Sequence, residues 1–143
     1  MTKHFTIKEL VDPWFLLNHT EAECWAMLAP EMLKALDEMR DWYGPIRING
    51  RGYTESGLRR KDTKTGAKNS THKSGLGFDL KFLAVGITPQ KVFADIVDDP
   101  TRFYAIGIRR VEDVAFTVRT GGSGWLHIDG KDTGVSTIVI VKP

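Results

Sequence analysis

The hydrophobic periodicity of the chain changes at Gly44-Pro45, and this change limits the folds that the chain can adopt. Before it, apolar residues recur at the spacing of one buried helical face: Met32, Leu33, Leu36, Met39 and Tyr43. Pro30 suits the first turn of this helix, and Gly44-Pro45 ends it, since glycine accepts a left-handed cap and proline cannot continue a helix. After Gly44-Pro45, apolar and polar residues alternate, which predicts strands.

Further start signals and alternating segments complete the predicted element order. Thr20 with Glu23 forms a capping-box pattern for a short helix through Met27, and Thr88-Pro89 begins another helix that ends near Val97. Alternating or β-branched segments predict strands at 46–48, 76–82, about 104–112, 125–129 and 136–141. The order predicts an α+β fold in which N-terminal helices pack on a mostly antiparallel sheet.

Length and composition set the class of protein that we expect. At 143 residues, one domain spanning 1–143 is the default. No stretch approaches the roughly 18 consecutive apolar residues of a membrane span, and the N-terminal segment lacks the order of a secretory signal. Cys24 is the single cysteine, so an internal disulfide is excluded. We therefore expect a soluble domain from a reducing compartment, without a membrane partner.

The positive charge is concentrated in one segment. The chain as a whole carries a net charge of +2, whereas residues 47–73 hold eight basic residues against Glu55 and Asp62. Within this segment, residues 50–71 predict a long irregular loop, a kind of segment that is usually functional or disordered. Such a patch attracts an anionic partner, or it is a solvated loop. Tyr53 is its one aromatic residue, so we expect no nucleic-acid partner.

Two histidines lie in polar, glycine-flanked contexts that strand alternation brings together. If Leu76, Phe78 and Leu80 face the core, Asp79 faces the other way, with Gly77 leaving space beside it. By the same alternation His127 and Asp129 point away from the core, together with Trp125. Two neighbouring strands would then present a carboxylate and an imidazole on one face. His72, in the loop just before the first strand, adds a third candidate ligand.

Two imidazoles and one carboxylate, with a fourth position open to water, form the ligand set of a catalytic zinc site. His72, Asp79 and His127 supply these groups. Zinc in such a site polarises a carbonyl and lowers the pKa of its water toward about 7. The spacing alone is also compatible with ordinary hydrogen-bonded histidines, so the zinc site is one of two interpretations at this point.

The arrangement resembles the M15 family of zinc peptidases, which includes the D-Ala-D-Ala carboxypeptidases and related phage endolysins. Residues 70–79 read Ser-x-His-x-x-Gly-x-Gly-x-Asp, and residues 125–129 read Trp-x-His-x-Asp. The family motif usually has Ala where this chain has Gly77. The segment 5–10 and the helix before Gly44 are also similar to phage members. The resemblance implies a hedgehog/DD-peptidase-like fold, with Zn²⁺ bound by His72, Asp79 and His127.

The resemblance extends to a substrate arginine, but the usual general base is missing. Ser56-Gly57-Leu58-Arg59 is similar to the family's Ser-Gly-Tyr-Arg segment, which implies that Arg59 binds a substrate carboxylate. The alternatives are that Arg51 has this role or that Arg59 is ordinary surface charge. Many members place an acid three residues before the last zinc histidine, whereas this chain has Gly124.

Two carboxylates are candidates for the missing base. Glu112 ends the predicted strand 104–112, and a hairpin through Gly121-Gly122 would set it beside Trp125 and His127. Asp129 lies on the same face as His127, where it serves either as the base or as an orienting partner of the histidine. We expect Glu112 to be the base and Trp125 to form a wall of the substrate groove.

The expected function follows from the resemblance. It implies a monomeric zinc peptidase that cleaves peptidoglycan stem peptides and serves as a phage lysis protein. With no export signal in the sequence, it would stay in the cytoplasm of the bacterial host until lysis and then act on the cell wall. The alternative is a catalytically inactive, zinc-stabilised domain that binds cell wall or protein, as the hedgehog signalling domain does within this fold.

Overall fold

Helices and a five-stranded sheet build the fold, seen in a computed structural model that describes residues 1–120 and 124–143. The α-helices are α1 (Pro13–Asn18), α2 (Glu21–Ala26), α3 (Pro30–Tyr43), α4 (Pro89–Asp98) and α5 (Pro100–Ala105). The strands are β1 (Ile46–Arg47), β2 (Gly77–Phe82), β3 (Arg110–Glu112), β4 (Leu126–Asp129) and β5 (Val139–Val141). Short 3-10 helices lie at Ile7–Glu9, Thr71–Ser74 and Val114–Phe116. The predicted α+β class is confirmed.

The sheet is mixed, with strand order β1-β2-β4-β3-β5. β1 with β2, β2 with β4 and β3 with β4 are antiparallel, while β3 and β5 are parallel. Three of the four pairings therefore agree with the predicted antiparallel sheet. The parallel pair forms because the chain crosses from the end of β4 to the outer side of β3. β2 and β4 occupy the second and third positions, with neighbours on both sides.

The local signals explain where the main helices begin and end. The Thr20 hydroxyl accepts a hydrogen bond from Glu23 N, and the Glu23 carboxylate accepts one from Thr20 N, so the predicted capping box forms. The α3 helix begins at Pro30 and ends before Gly44, whose φ of 78° is in the left-handed region. The Thr88 side chain caps α4 by accepting from Lys91 N.

The predicted strand at 104–112 is wrong over residues 104–109, because β3 begins only at Arg110. Residues up to Ala105 belong to α5, because the Asp99 side chain caps that helix and Pro100 occupies its first turn. The apolar alternation that suggested a strand comes from single buried side chains, such as Ile108, in the turn between α5 and β3. The predicted strand at 136–141 contracts to Val139–Val141, since β3 offers only three residues for pairing. The proposed hairpin turn at Gly121-Gly122 lies outside the described residues.

One face of the central strands belongs to the core. Phe78 and Leu80 of β2 and Leu126 and Ile128 of β4 are fully buried, in the same hydrophobic cluster as the apolar stripe of α3. The opposite face carries the polar residues that the alternation predicts. No helix among the described residues has both the length and the apolar character needed to cross a membrane.

The irregular segment between β1 and β2 is tied to the N-terminal part of the chain. Leu58 N donates to Leu10 O at 2.7 Å, and Asp12 N donates to Leu58 O at 2.9 Å. The buried Asn49 side chain accepts from the backbone N–H groups of Ser56 and Gly57. These contacts fix the segment that carries Arg59 beside the polar face of the sheet.

Candidate metal centre

The side chains of His72, Asp79 and His127 converge on one buried point. The nitrogen Nε2 of His72 lies 3.2 Å from Asp79 Oδ1 and 3.2 Å from His127 Nδ1. His127 Nδ1 lies 2.9 Å from the same Oδ1 atom. All three residues are buried, and each offers one atom to a common centre. The structure thus brings together the three residues that the sequence identified as candidate ligands.

Strand register accounts for two of these side chains. Asp79 of β2 is the direct cross-strand partner of His127 of β4, and both point away from the core residues on either side of them. Directly opposed residues of an antiparallel pair have Cβ atoms about 4.5–5.5 Å apart, which is close enough for their side chains to share a ligand. The carboxylate and imidazole therefore meet as soon as β2 and β4 pair in this register.

A short 3-10 helix and a glycine position the third side chain. The Ser70 hydroxyl caps this helix by accepting from His72 N, and Gly75 ends it with a φ of 71°. A Cβ atom on Gly77 would lie 2.3 Å from Thr71 Oγ1 and 3.0 Å from His72 N. The expected open space beside Asp79 is therefore wrong, because the Thr71–Ser74 helix packs directly on Gly77. This close approach brings His72 to the sheet.

The outer nitrogens of both histidines are occupied by acceptors. His72 Nδ1 lies 2.9 Å from the carbonyl oxygen of Gly57, which can only accept, so Nδ1 carries a proton. His127 Nε2 lies 3.1 Å from Asp129 Oδ2 and donates to that carboxylate. In the neutral form, each imidazole then presents an unprotonated nitrogen to Asp79. Such second contacts are typical of metal-binding histidines.

Three electron-pair donors at this separation can share a cation placed between them. Ligands of a tetrahedral zinc ion, at about 2.0–2.1 Å from the metal, are themselves about 3.3 Å apart. The donor atoms of His72, Asp79 and His127 are 2.9–3.2 Å apart, so a small outward movement accommodates such an ion. The chemistry of the set, two imidazoles and one carboxylate, suits zinc. The residues present therefore fit the metal.

Without a metal, protons supply the missing positive charge. Burial alone would lower the pKa of His127, but its hydrogen bonds with Asp129 and Asp79 raise the pKa to about 9. Burial alone would raise the pKa of Asp79, but hydrogen bonds from His127 and His72 hold it well below its usual range. The site thus stabilises an ionised carboxylate next to a positive charge, which is the electrostatic environment of a cation site.

Arg59 lies at the site, where its guanidinium contacts the candidate metal ligand Asp79. Its Nη2 atom donates to Asp79 Oδ2 at 3.1 Å, and its Nε atom donates to the carbonyl oxygen of Glu55. The residue is 8% exposed. The guanidinium therefore holds the carboxylate oxygen that faces away from the histidines. Arg51, the alternative substrate residue, is exposed on the loop.

Asp129 is an orienting partner and is fully enclosed. Arg110 donates three hydrogen bonds to it, from Nε to Oδ1 at 2.9 Å and to Oδ2 at 3.2 Å, and from Nη2 to Oδ2 at 2.8 Å. The carboxylate is 0% exposed and also faces His127 Nε2. These contacts leave no lone pair directed at a substrate and favour the orienting role over the base.

Glu112 and Trp125 line the open side of the site. A cavity of about 490 Å³ is bordered by both residues and by the three candidate ligands. Val111 pairs with Ile128 in the β3–β4 register, and the next step of that register sets Glu112 opposite His127. Glu112 is half-buried. Its side chain therefore borders the same cavity as the three candidate ligands.

The backbone leaves no room for a side chain at position 124. A Cβ atom on Gly124 would lie 2.2 Å from the carbonyl oxygen of Thr117 and 2.8 Å from Val118 Cα. Backbone atoms cannot move aside as a flexible side chain can.

Two residues of the site were not identified from the sequence. Arg110 could have been found from alternation, because it faces Asp129 directly in the β3–β4 register. Thr117 lines the cavity and is 3% exposed, with an Oγ1 atom that has no hydrogen-bond partner among the described residues. No sequence signal marks Thr117.

Comparison with known proteins adds no relative. No protein-family model, no curated protein and no solved structure matches this chain. The assignment of the site therefore stands on the motif residues and on their geometry.

Proposed function

We propose that this chain is a zinc-dependent peptidase that cleaves peptidoglycan stem peptides, with a hedgehog/DD-peptidase-like fold and a role in phage lysis. The observation that carries the proposal is the buried convergence of His72, Asp79 and His127 beside a cavity that Glu112 lines. The motif resemblance to the M15 peptidases supports the same reaction. In this role the enzyme stays in the host cytoplasm until lysis and then acts on the cell wall.

The proposed mechanism divides the work among the residues of the cavity. His72, Asp79 and His127 would hold the zinc ion, which supplies a Lewis acid for the scissile carbonyl and an acidified water near neutral pH. Glu112 takes the proton of the attacking water and returns it to the leaving amine. Trp125 forms one wall of the groove and limits the orientation of the peptide.

Neighbouring residues hold the ligands in place. Arg59 fixes Asp79 from behind, while Asp129 holds the Nε2–H of His127 and keeps Nδ1 free for the metal. Arg110 neutralises Asp129 in turn. Asp129 is therefore a positioning residue in this proposal, and Glu112 is the catalytic base.

Release of soluble peptides from purified peptidoglycan by the zinc-loaded protein tests the proposal. We expect Glu112→Gln to lower the rate by about 100-fold or more while keeping its zinc, since general-base catalysis contributes about 10²–10⁴-fold. Glu31→Gln, an exposed carboxylate at the start of α3, is the matched control and should keep full activity.

The alternative is a zinc-stabilised domain that binds but does not cleave. A folded wild-type protein with bound zinc that releases no peptide from peptidoglycan would contradict the peptidase proposal and favour this alternative. Equal activity in wild type and Glu112→Gln would retain the peptidase but remove Glu112 as its base.

A further inference from the structure

A second cavity borders Trp125, on the side away from the candidate ligands, and the proposed mechanism gives it no role. It measures about 580 Å³, and Trp125 separates it from the cavity that holds the candidate ligands. Its walls combine apolar side chains with two cations, and they include Phe82, Ile87, Pro89, Trp125, Lys81 and Arg119. No acidic residue lines it in the described ranges 1–120 and 124–143. The cavity therefore suits a group with an apolar stem and a negative end.

Lys81, which lies near the site, forms no ion pair with a carboxylate within residues 1–120 and 124–143. Arg59 is paired with Asp79 and Arg110 with Asp129. The Lys81 ammonium, in contrast, bonds to neutral oxygens within the described residues, Ser56 Oγ at 2.8 Å and the Ile48 carbonyl at 3.4 Å. Both acceptors are neutral, so neither compensates the positive charge of the ammonium.

The side chain of Lys81 is held in place rather than extended into solvent. Its Nζ atom lies 4.2 Å from the ring centroid of Tyr53, a cation–π contact, and the residue is half-buried. Arg47, its cross-strand partner, and Arg59 add positive charge around it, while Asp79, two residues away on the same strand, adds the opposite charge. A fixed and partly desolvated cation binds an anionic group more strongly than a flexible surface lysine does.

Strand geometry relates this cation to the scissile bond. Asp79 and Lys81 are two residues apart on β2 and point to the same face, so their Cα atoms are roughly 7 Å apart. An extended peptide advances by a similar distance over two residues. A peptide crossing the metal site therefore places a neighbouring side chain beside Trp125 and Lys81.

We infer that this cavity is a specificity subsite for a substrate residue whose aliphatic side chain ends in a carboxylate, bound by Lys81 and Arg119. The inference rests on the proposed peptidase function. The apolar walls contact the aliphatic stem, and the two cations bind its carboxylate. Diaminopimelate, a residue of many stem peptides, has an aliphatic side chain whose far end carries a carboxylate beside an amino group. Lysine has the same chain and the same amino group but lacks this second carboxylate, so the two residues differ only in the group that the two cations would bind.

Two stem peptides that differ only in this residue test the subsite. We expect the zinc-loaded wild type to cleave the diaminopimelate peptide with a kcat/KM at least about tenfold above that for the lysine peptide, since a hydrogen bond to a charged group has about that effect. Lys81→Met, which keeps the length of the stem, should abolish this preference chiefly through KM. Lys8→Met, at an exposed position in the N-terminal segment, should retain it.

Direct binding separates the subsite from the reaction. In calorimetric titration, the Glu112→Gln protein should bind the diaminopimelate peptide more tightly than the lysine peptide. The double variant that adds Lys81→Met should bind the two peptides equally. Cleavage of both peptides at equal efficiency by wild type and Lys81→Met would overturn the subsite and leave the peptidase intact. Preferential binding of the diaminopimelate peptide, with no cleavage of either peptide by the wild type, would support the subsite and contradict the peptidase. Binding of neither peptide would overturn both.

A second variant covers the case in which Lys81→Met does not fold. Arg119→Gln removes the other cation of the cavity at an exposed position. It should lower the preference for the diaminopimelate peptide about threefold, the smaller effect expected of a solvent-exposed charge. An unchanged preference in a folded Arg119→Gln protein would remove Arg119 from the subsite.

Discussion

Asp79 and His127 are direct cross-strand partners, with the Oδ1 and Nδ1 atoms of their side chains 2.9 Å apart. Two of the three candidate metal ligands are thus brought together by the pairing of β2 with β4. The third, His72, comes from the short helix that packs on Gly77. The candidate metal centre is therefore built into the central part of the sheet.

Zinc binding should stabilise the protein strongly. A ligand that binds only the folded state adds about 4 kcal/mol when its free concentration is about a thousand times its dissociation constant. We expect a higher Tm with zinc in thermal unfolding, a reversal by a chelator, and no shift for His72→Ala. His19→Ala, a partly exposed histidine near α2, is the control and should keep the shift. A zinc-induced rise of the same size in His72→Ala would be inconsistent with this site.

Replacing Asp129 should weaken metal binding without removing a ligand. The Asp129 carboxylate holds the Nε2–H of His127, and loss of such an orienting partner costs about 10–100-fold in metal affinity. We predict a drop of this size for Asp129→Asn in competition with a chromogenic chelator. Asp98→Asn, an exposed aspartate at the end of α4, should bind zinc like the wild type. Wild-type affinity in Asp129→Asn would argue against an orienting role.

Zinc affinity should depend on pH through the proton of His127. Hydrogen bonds with Asp129 and Asp79 outweigh burial and raise the pKa of His127 from 6.5 to about 9 in the metal-free protein. This proton stabilises the metal-free fold fully below pH 6.5, and its contribution is lost as the pH rises through about 9.

Zinc must displace that proton. The apparent affinity should therefore rise by about tenfold per pH unit up to the pKa of His127 and then level off. Chelator competition, corrected for protonation of the chelator, measures this slope. An affinity that does not change across the range would mean that His127 gives up no proton on binding.

Gly77→Ala should disturb the site although the family motif usually has Ala there. The added Cβ would lie 2.3 Å from Thr71 Oγ1 and 3.1 Å from His127 Cε1. Thr71 must then rotate, and the Thr71–Ser74 helix must move outward with His72. We expect a loss of about 1–3 kcal/mol in the free energy of unfolding, together with weaker zinc binding. Gly52→Ala, at a glycine with nothing within 4 Å, is the control for zinc binding. Unchanged stability and affinity in Gly77→Ala would show that Thr71 adjusts freely.

The sequence predicted the parts of the fold that local signals determine. The capping box at Thr20, the Gly44 cap and the alternation around Phe78 all act over a few residues, so α2, α3 and β2 were identified. The parallel pairing of β3 with β5 depends on a crossing between distant segments, which local patterns do not determine. The helix α5 was missed because its apolar residues also fit an alternating strand.

The candidate site, like the fold, was predictable where local signals determine it and not where the packing of distant segments does. Alternation predicted the faces of Asp79 and His127, because two residues along a strand return to the same side. It did not predict that Arg59 contacts Asp79 or that Arg110 donates hydrogen bonds to Asp129, since both contacts depend on how separate segments pack. The absence of room at Gly124 likewise depends on the backbone of Thr117, seven residues earlier in the chain.

Metal content tests the central claim most directly. The wild-type protein, loaded with zinc, passed through a desalting column and measured by plasma mass spectrometry, should contain one zinc ion per chain. The single variants His72→Ala, Asp79→Ala and His127→Ala should each retain far less, while His19→Ala should match the wild type. Equal zinc in all of these proteins, or none in a folded wild type, would contradict the assignment of these three side chains as one metal centre.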